Sequence, residues 1–124
     1  MSKVPEDLKF TKSHEWFKIE GDTVTMGISD YAQGQLTDIV YIELPDVGSV
    51  KKAGEVILTI ESVKSAEDVF SPVEGEVIEI NKDLNDKPEL VNSDSYSNWM
   101  VKLKKTGPEN ASMSAGEYRS YIGE

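Results

Sequence analysis

Glu61-Ser62-Val63-Lys64-Ser65-Ala66-Glu67-Asp68 decides how the chain is read, because it lies between two copies of one short sequence, Gly54-Glu55-Val56-Ile57 and Gly75-Glu76-Val77-Ile78. Each copy opens an apolar run, Val56 to Ile60 and Val77 to Ile80, with the length and β-branched content of a buried or half-buried strand. Two such runs around a short polar segment predict strands that return on one another, with the polar segment at the exposed turn between them. Lys64 is therefore expected to be presented at a bend and not packed. Two readings of its amine stay open on these residues alone. It is a solvated charge like the chain's other lysines, or it is a covalent attachment point, favoured by its place between the repeats and by a segment too short to bury it.

A chain of 124 residues is expected to form one domain spanning 1–124, long enough for a real core and too short for a core plus a separate catalytic domain. Its 13 basic and 23 acidic residues give a formal net charge of -10. That balance argues against nucleic acid or an anionic membrane as partner, and for solubility or docking on basic protein surfaces. There is no cysteine, which excludes a disulfide framework, a thiolate metal site and a sulfur nucleophile of the chain's own. Any thiol chemistry has to arrive on a cofactor. His14 is the only histidine, so a multi-His metal site is excluded and a catalytic site would have to be built from carboxylates, hydroxyls and lysines. The charged start, Met1 to Phe10, does not read as a signal peptide, and the longest apolar runs are strand-sized, so no membrane span is expected.

Working outward, residues 1–9 read as a polar surface lead-in, and Phe10 through Ile19 as a strand. Gly21-Asp22 is the expected turn to a partner strand, Thr23 to Ile28. Asp30, with Gln33 three positions later, resembles a helix start, and Tyr31 to Leu36 is expected to cap one sheet. Ile39-Val40-Tyr41-Ile42 is strongly β-prone, and Pro45-Asp46-Val47-Gly48 closes it. Lys51 and Lys52 read as a solvated turn pair, Asn81 to Pro88 as a loop, Glu89-Leu90-Val91 as a short turn and Ser93 to Asn98 as another loop. Trp99 to Leu103 reads as a strand that fills the core. At the end, Ser114 as N-cap, Glu117 closing a capping box and Met113 stapling against Tyr118 predict a helix whose Tyr118, Tyr121 and Ile122 share a docking face. The predicted fold is mostly β: a two-sheet β-sandwich with short helices and a C-terminal helix. A direct repeat in such a body can become a rotational pseudo-two-fold, leaving the Lys64 turn projecting.

Several ordered motifs carry a resemblance over nearly the whole chain. They are Ser13-His14-Glu15-Trp16, Gly27-Ile28-Ser29-Asp30-Tyr31-Ala32-Gln33, Val40-Tyr41-Ile42-Glu43-Leu44-Pro45, Glu61-Ser62-Val63-Lys64-Ser65, Ser71-Pro72-Val73-Glu74-Gly75-Glu76-Val77 and Leu90-Val91-Asn92. The combination is similar to the lipoyl and biotinyl carrier domains, and more closely to the H-protein family of the glycine cleavage system. Before Trp99 that family usually has a turn with Pro and Gly, whereas here Asp94-Ser95-Tyr96-Ser97-Asn98 is shorter and has neither.

The resemblance implies a small β-sandwich with lipoic acid joined as an amide to Lys64. It implies a non-catalytic carrier that takes the aminomethyl group from glycine decarboxylase (P protein) and delivers it to the aminomethyltransferase (T protein). Dihydrolipoamide dehydrogenase (L protein) then reoxidises the arm, and a lipoate ligase or a lipoyl/octanoyl transferase installs it. The location it implies is cytoplasmic in a bacterium and the mitochondrial matrix in a processed eukaryotic form. Such a division suits these residues, since the hard chemistry belongs to the cofactor and no protein thiol is present to exchange with it. A loaded aminomethyl amine is positive, so a resting place lined by acceptors is expected, with Ser13, Glu15 and Asp68 as candidates and His14 behind them.

The rival from another class, a Schiff-base enzyme, needs a desolvated or cation-flanked lysine, whereas Glu61, Glu67 and Asp68 favour the charged amine. Biotin carriers flank their lysine with methionines where this chain has Val63 and Ser65. Lipoyl domains of oxo-acid dehydrogenase complexes usually have Asp before the lysine. A β-sandwich with no modification is the remaining reading.

Overall fold

Short β-branched runs punctuated by glycine, proline and polar turns give nine strands and four brief helices in the computed structural model, which describes all 124 residues. The strands are Lys9–Phe10 (β1), Glu15–Glu20 (β2), Thr23–Ile28 (β3), Ile39–Glu43 (β4), Val50–Lys51 (β5), Val56–Ser62 (β6), Ala66–Phe70 (β7), Val73–Ile80 (β8) and Val101–Glu109 (β9). The helices are Asp30–Leu36 (α1), Asp83–Asp86 (α2), Leu90–Ser93 (α3) and Ala115–Ile122 (α4). All pairings are antiparallel, in a six-stranded sheet ordered β1-β2-β3-β9-β8-β5 and a three-stranded sheet ordered β4-β6-β7. Phe17, Met26 and Leu103 from the larger sheet meet Ile42, Ile60 and Val69 from the smaller in one buried cluster. Two sheets covering each other's apolar faces are the β-sandwich that the sequence predicts.

The repeat folds differently from the expectation. Its two apolar runs do not return on one another: β6 pairs with β7, and β8 lies in the other sheet, between β9 and β5. The polar residues Ala66 to Asp68 are not turn but the first half of the return strand, since β7 is an edge whose outer side chains stay in water. Phe10 to Ile19 is likewise two strands. His14 adopts φ 73°, and the amide of His14 bonds Thr11 O at 3.1 Å while that of Thr11 bonds Glu15 O at 2.9 Å, closing a hairpin between β1 and β2.

Residues 1–9 are more than a lead-in, because Val4 and Leu8 are buried with Phe10, Trp16, Ala115 and Tyr118 in a second apolar cluster. Ser29, not Asp30, caps α1, its hydroxyl accepting from the Ala32 amide at 3.1 Å. Val50 and Lys51 form a short strand on β8, and the expected loop at Asn81 to Pro88 contains α2, which inserts fully buried Leu84. The last strand starts at Val101 and runs to Glu109, leaving Trp99 half-buried with the Lys102 ammonium 4.8 Å from its ring centre.

The capping box of Ser114 and Glu117 is formed, and Tyr118 stacks on Phe10 with ring centres 4.5 Å apart. Tyr121 lies largely exposed, tied to Lys12 O through its hydroxyl at 3.0 Å. In the loop before Trp99, Asp94 does the work of the missing Pro and Gly. Its carboxylate accepts from the amides of Tyr96 and Ser97, each at 3.0 Å, and those bonds, with that of the Ser97 hydroxyl, hold it below the usual carboxylate range.

Candidate functional site

Lys64 stands at the tip of the β6–β7 hairpin, where Ser62 supplies the turn chemistry. The Ser62 hydroxyl accepts from the amides of Lys64 at 3.2 Å and Ser65 at 3.1 Å, and the Ser62 amide bonds Ser65 O at 2.8 Å. A hydroxyl that caps two amides fixes the tip without burying it. Val63 then ties the tip to the body, its amide donating to Asp38 O at 3.0 Å. The Lys64 side chain is exposed and none of the chain's ion pairs involves it; its ammonium donates to Gln35 O, in the last turn of α1, at 3.1 Å. A cation at a helix C-terminus meets the negative end of the backbone dipoles.

Beside the lysine a cleft of about 420 Å³ runs between the hairpin, α1 and the β1–β2 turn. Ser13, His14, Tyr31, Gln35, Glu67 and Asp68 give it polar walls, and Leu36, Ile60 and Val69 an apolar floor. Lys64, Ser13 and Asp68 thus come together around one space, with His14 beside them. Glu15 stands apart from that lining. It is 1 % exposed, and its carboxylate accepts from the Thr11 hydroxyl, from the Ser13 hydroxyl at 2.6 Å and from the Phe70 amide at 3.3 Å. Neither a solvated strand residue nor a wall of the cleft, it bridges β2 of the larger sheet to β7 of the smaller from beneath. Its effect reaches the cleft through Ser13: a hydroxyl that donates to a carboxylate keeps lone pairs free to accept.

The His14 Nδ1 is 2.8 Å from the Tyr118 hydroxyl, which is 2.7 Å from the Ser29 hydroxyl, and the His14 ring lies 5.1 Å from that of Tyr31. Burial lowers the His14 pKa below its ordinary value and raises that of Tyr118, so near neutrality an uncharged imidazole faces a protonated phenol. The cleft residues the sequence reading missed are Tyr31, Gln35 and Glu67. They arrive from α1 and β7 with no local spacing to join them; the β6–β7 register sets Glu67 opposite Ile60 of the floor and Asp68 opposite Thr59, whose hydroxyl lies 3.5 Å from the Asp68 carboxylate.

The family model described as "Glycine cleavage H-protein" matches residues 8–124. The chain is 60% identical over 124 residues, all of both chains, to a probable glycine cleavage system H protein of Picrophilus torridus. It is 56% identical over 111 residues, 88% of this chain and 85% of the other, to a glycine cleavage system H protein of Stenotrophomonas maltophilia. The crystal structure of a glycine cleavage system H protein from Mycobacterium marinum superposes with a TM-score of 0.92 at 32% identity, covering 98% of this chain and 100% of that one. Similarity this continuous takes in both sheets, the lysine hairpin and the cleft together, and the chain belongs to the glycine cleavage H-protein family.

Proposed function

We propose that residues 1–124 form one lipoyl-carrier domain that bears lipoic acid as an amide on Lys64 and serves glycine cleavage as a carrier and not as a catalyst. In this role the chain shuttles the aminomethyl group from glycine decarboxylase to the aminomethyltransferase, and electrons to dihydrolipoamide dehydrogenase. A lipoate ligase or a lipoyl/octanoyl transferase is its modifying enzyme. Its bacterial and archaeal relatives favour a cytoplasmic site of action. The single observation that carries the reading is the exposed amine at the tip of a serine-locked hairpin, opening on a cleft with an apolar floor and acceptor walls.

The residues present fit the group. An exposed amine on a fixed tip is accessible for amide formation, and the half-buried Tyr31 and Ala32, over the buried floor, offer apolar surface to a hydrocarbon arm. When bound, lipoic acid supplies the disulfide chemistry that this cysteine-free chain lacks. The chain's own residues present and shelter. Ser62 and Asp38 hold the tip firm, so that a tethered group meets each partner at high effective concentration. Ser13, its proton committed to Glu15, and Asp68 offer acceptors to a positive amine in the cleft, while Glu15 holds Ser13 in place.

Reconstitution with the three partner enzymes tests this: the lipoylated chain supports glycine breakdown and Lys64→Arg abolishes it. Ser13→Ala and Asp68→Asn are expected to speed loss of the aminomethyl group from the loaded carrier about tenfold or more each, the scale of one charge-assisted hydrogen bond. Unchanged release in both would remove them from the resting place.

A further inference from the structure

The tip of the lysine hairpin extends beyond the paired part of the small sheet, whose β4–β6 register ends at Ile39 opposite Ser62. Past that point its backbone tie to the body is the bond from the Val63 amide to Asp38 O, at 3.0 Å. What aims the Asp38 carbonyl therefore aims the tip. Asp38 follows Thr37, which sits at φ 62° and ψ −144°, a conformation that favours glycine and strains a β-branched residue. Such a conformation persists only where its surroundings hold it.

Asn92, on α3, does the holding. Its Nδ2 donates to Thr37 O at 2.8 Å and to Gln33 Oε1 at 2.9 Å, and its Oδ1 accepts from the Ile39 amide at 2.9 Å. One amide side chain thus grips the backbone on both sides of Asp38 and spends both of its N–H donors in doing so. The same α1 terminus presents Gln35 O to the lysine ammonium. No hydrogen bond joins Asn92 to Lys64 itself.

We propose that Asn92 is a positioning residue for Lys64: by bracketing Asp38 it fixes the carbonyl that anchors Val63, and so sets the orientation in which a modifying enzyme meets the lysine. The proposal rests on the reading of Lys64 as the lipoylation site. It predicts that Asn92→Ala and Asn92→Asp both loosen the tip, the aspartate because a carboxylate would face the Thr37 and Gln33 oxygens.

The test has two readouts on the full-length chain. Amide hydrogen exchange at Val63 is compared with that at Met100, whose amide bonds Met26 O at 2.9 Å in the larger sheet. Lipoylation is then followed with a lipoate ligase, ATP and free lipoic acid, varying the chain concentration. The expected result is Val63 exchange about tenfold faster in the Asn92 variants with Met100 unchanged, as loss of one or two hydrogen bonds gives, and a raised KM for the chain with kcat held. In a Thr37→Gly background, where the strain is gone, Asn92→Ala should change both readouts less. Unchanged Val63 exchange, equal acceleration at Met100, or an unchanged KM would overturn the role of Asn92. A wild-type chain that takes no lipoyl group at Lys64 would instead sink the underlying reading, and the proposal with it.

Discussion

The two Gly-Glu-Val-Ile copies share four residues, and a β-bulge falls at the isoleucine of each, yet they turn opposite faces to the core. In the first, Val56 is 37% exposed and Ile57 4%; in the second, Val77 is 0% and Ile78 42% exposed. Side chains alternate along a strand, so a shift of one in phase exchanges which residue is buried. The glycines differ as well. Gly54 turns the chain into β6 at φ 85°, whereas Gly75 lies within β8 where a Cβ would come 2.4 Å from Lys104 O. One copy thus leads into the hairpin that carries the lysine and the other builds the larger sheet behind it. Identical letters do not make equivalent sites.

Substitutions at matched positions sharpen that contrast. The largest effect is expected from Gly75→Ala, about 3 kcal/mol of lost stability in denaturant unfolding, because backbone packed against backbone cannot yield. Next comes Val77→Ala at about 2 kcal/mol, from lost burial plus a cavity, against about 0.5 kcal/mol or less for Val56→Ala on the half-wet face. Equal costs at the two valines would break the comparison. Gly54→Ala should cost about 1 kcal/mol, for its left-handed backbone alone, since the nearest neighbour of its Cβ is the Asn110 side chain at 3.7 Å.

The smallest effect lies in the cleft that the lysine hairpin borders. Burial lowers the His14 pKa from 6.5, so the unfolded chain takes up a proton there before the folded chain does. Stability from this residue is present above pH 6.5 and is lost as pH falls from that value through the lowered one. His14→Gln should flatten that segment of a melting-temperature profile. A steeper segment would mean that the imidazole is better held when charged.

The fold was legible where local chemistry decides it. Ser114 with Glu117, the Gly21-Asp22 turn and the β-branched runs each carry their own instructions, and each forms as read. Pairing was less legible. The polar letters of Ala66 to Asp68 resemble a turn because the strand they form is an edge, and Val4 and Leu8 look peripheral until α4 comes back to cover them. In the site, Lys64 stands out through its place in the repeat, and Ser13 and Asp68 do reach the cleft. Glu15 could not be placed from sequence, since only the approach of Phe70 from the other sheet puts its carboxylate inside. The clamp of Asn92 on Thr37 and Ile39 joins residues more than fifty positions apart, and no spacing rule reaches that far.

The central claim is that this hairpin exists to hold one amine out for acylation. Intact mass measurement after expression with a lipoylating system tests it most directly, with peptide mapping to locate the addition. The account predicts a single lipoyl increment, mapped to Lys64 and absent from Lys64→Arg. An increment that survives that substitution, or a wild-type chain that never acquires one, would contradict it.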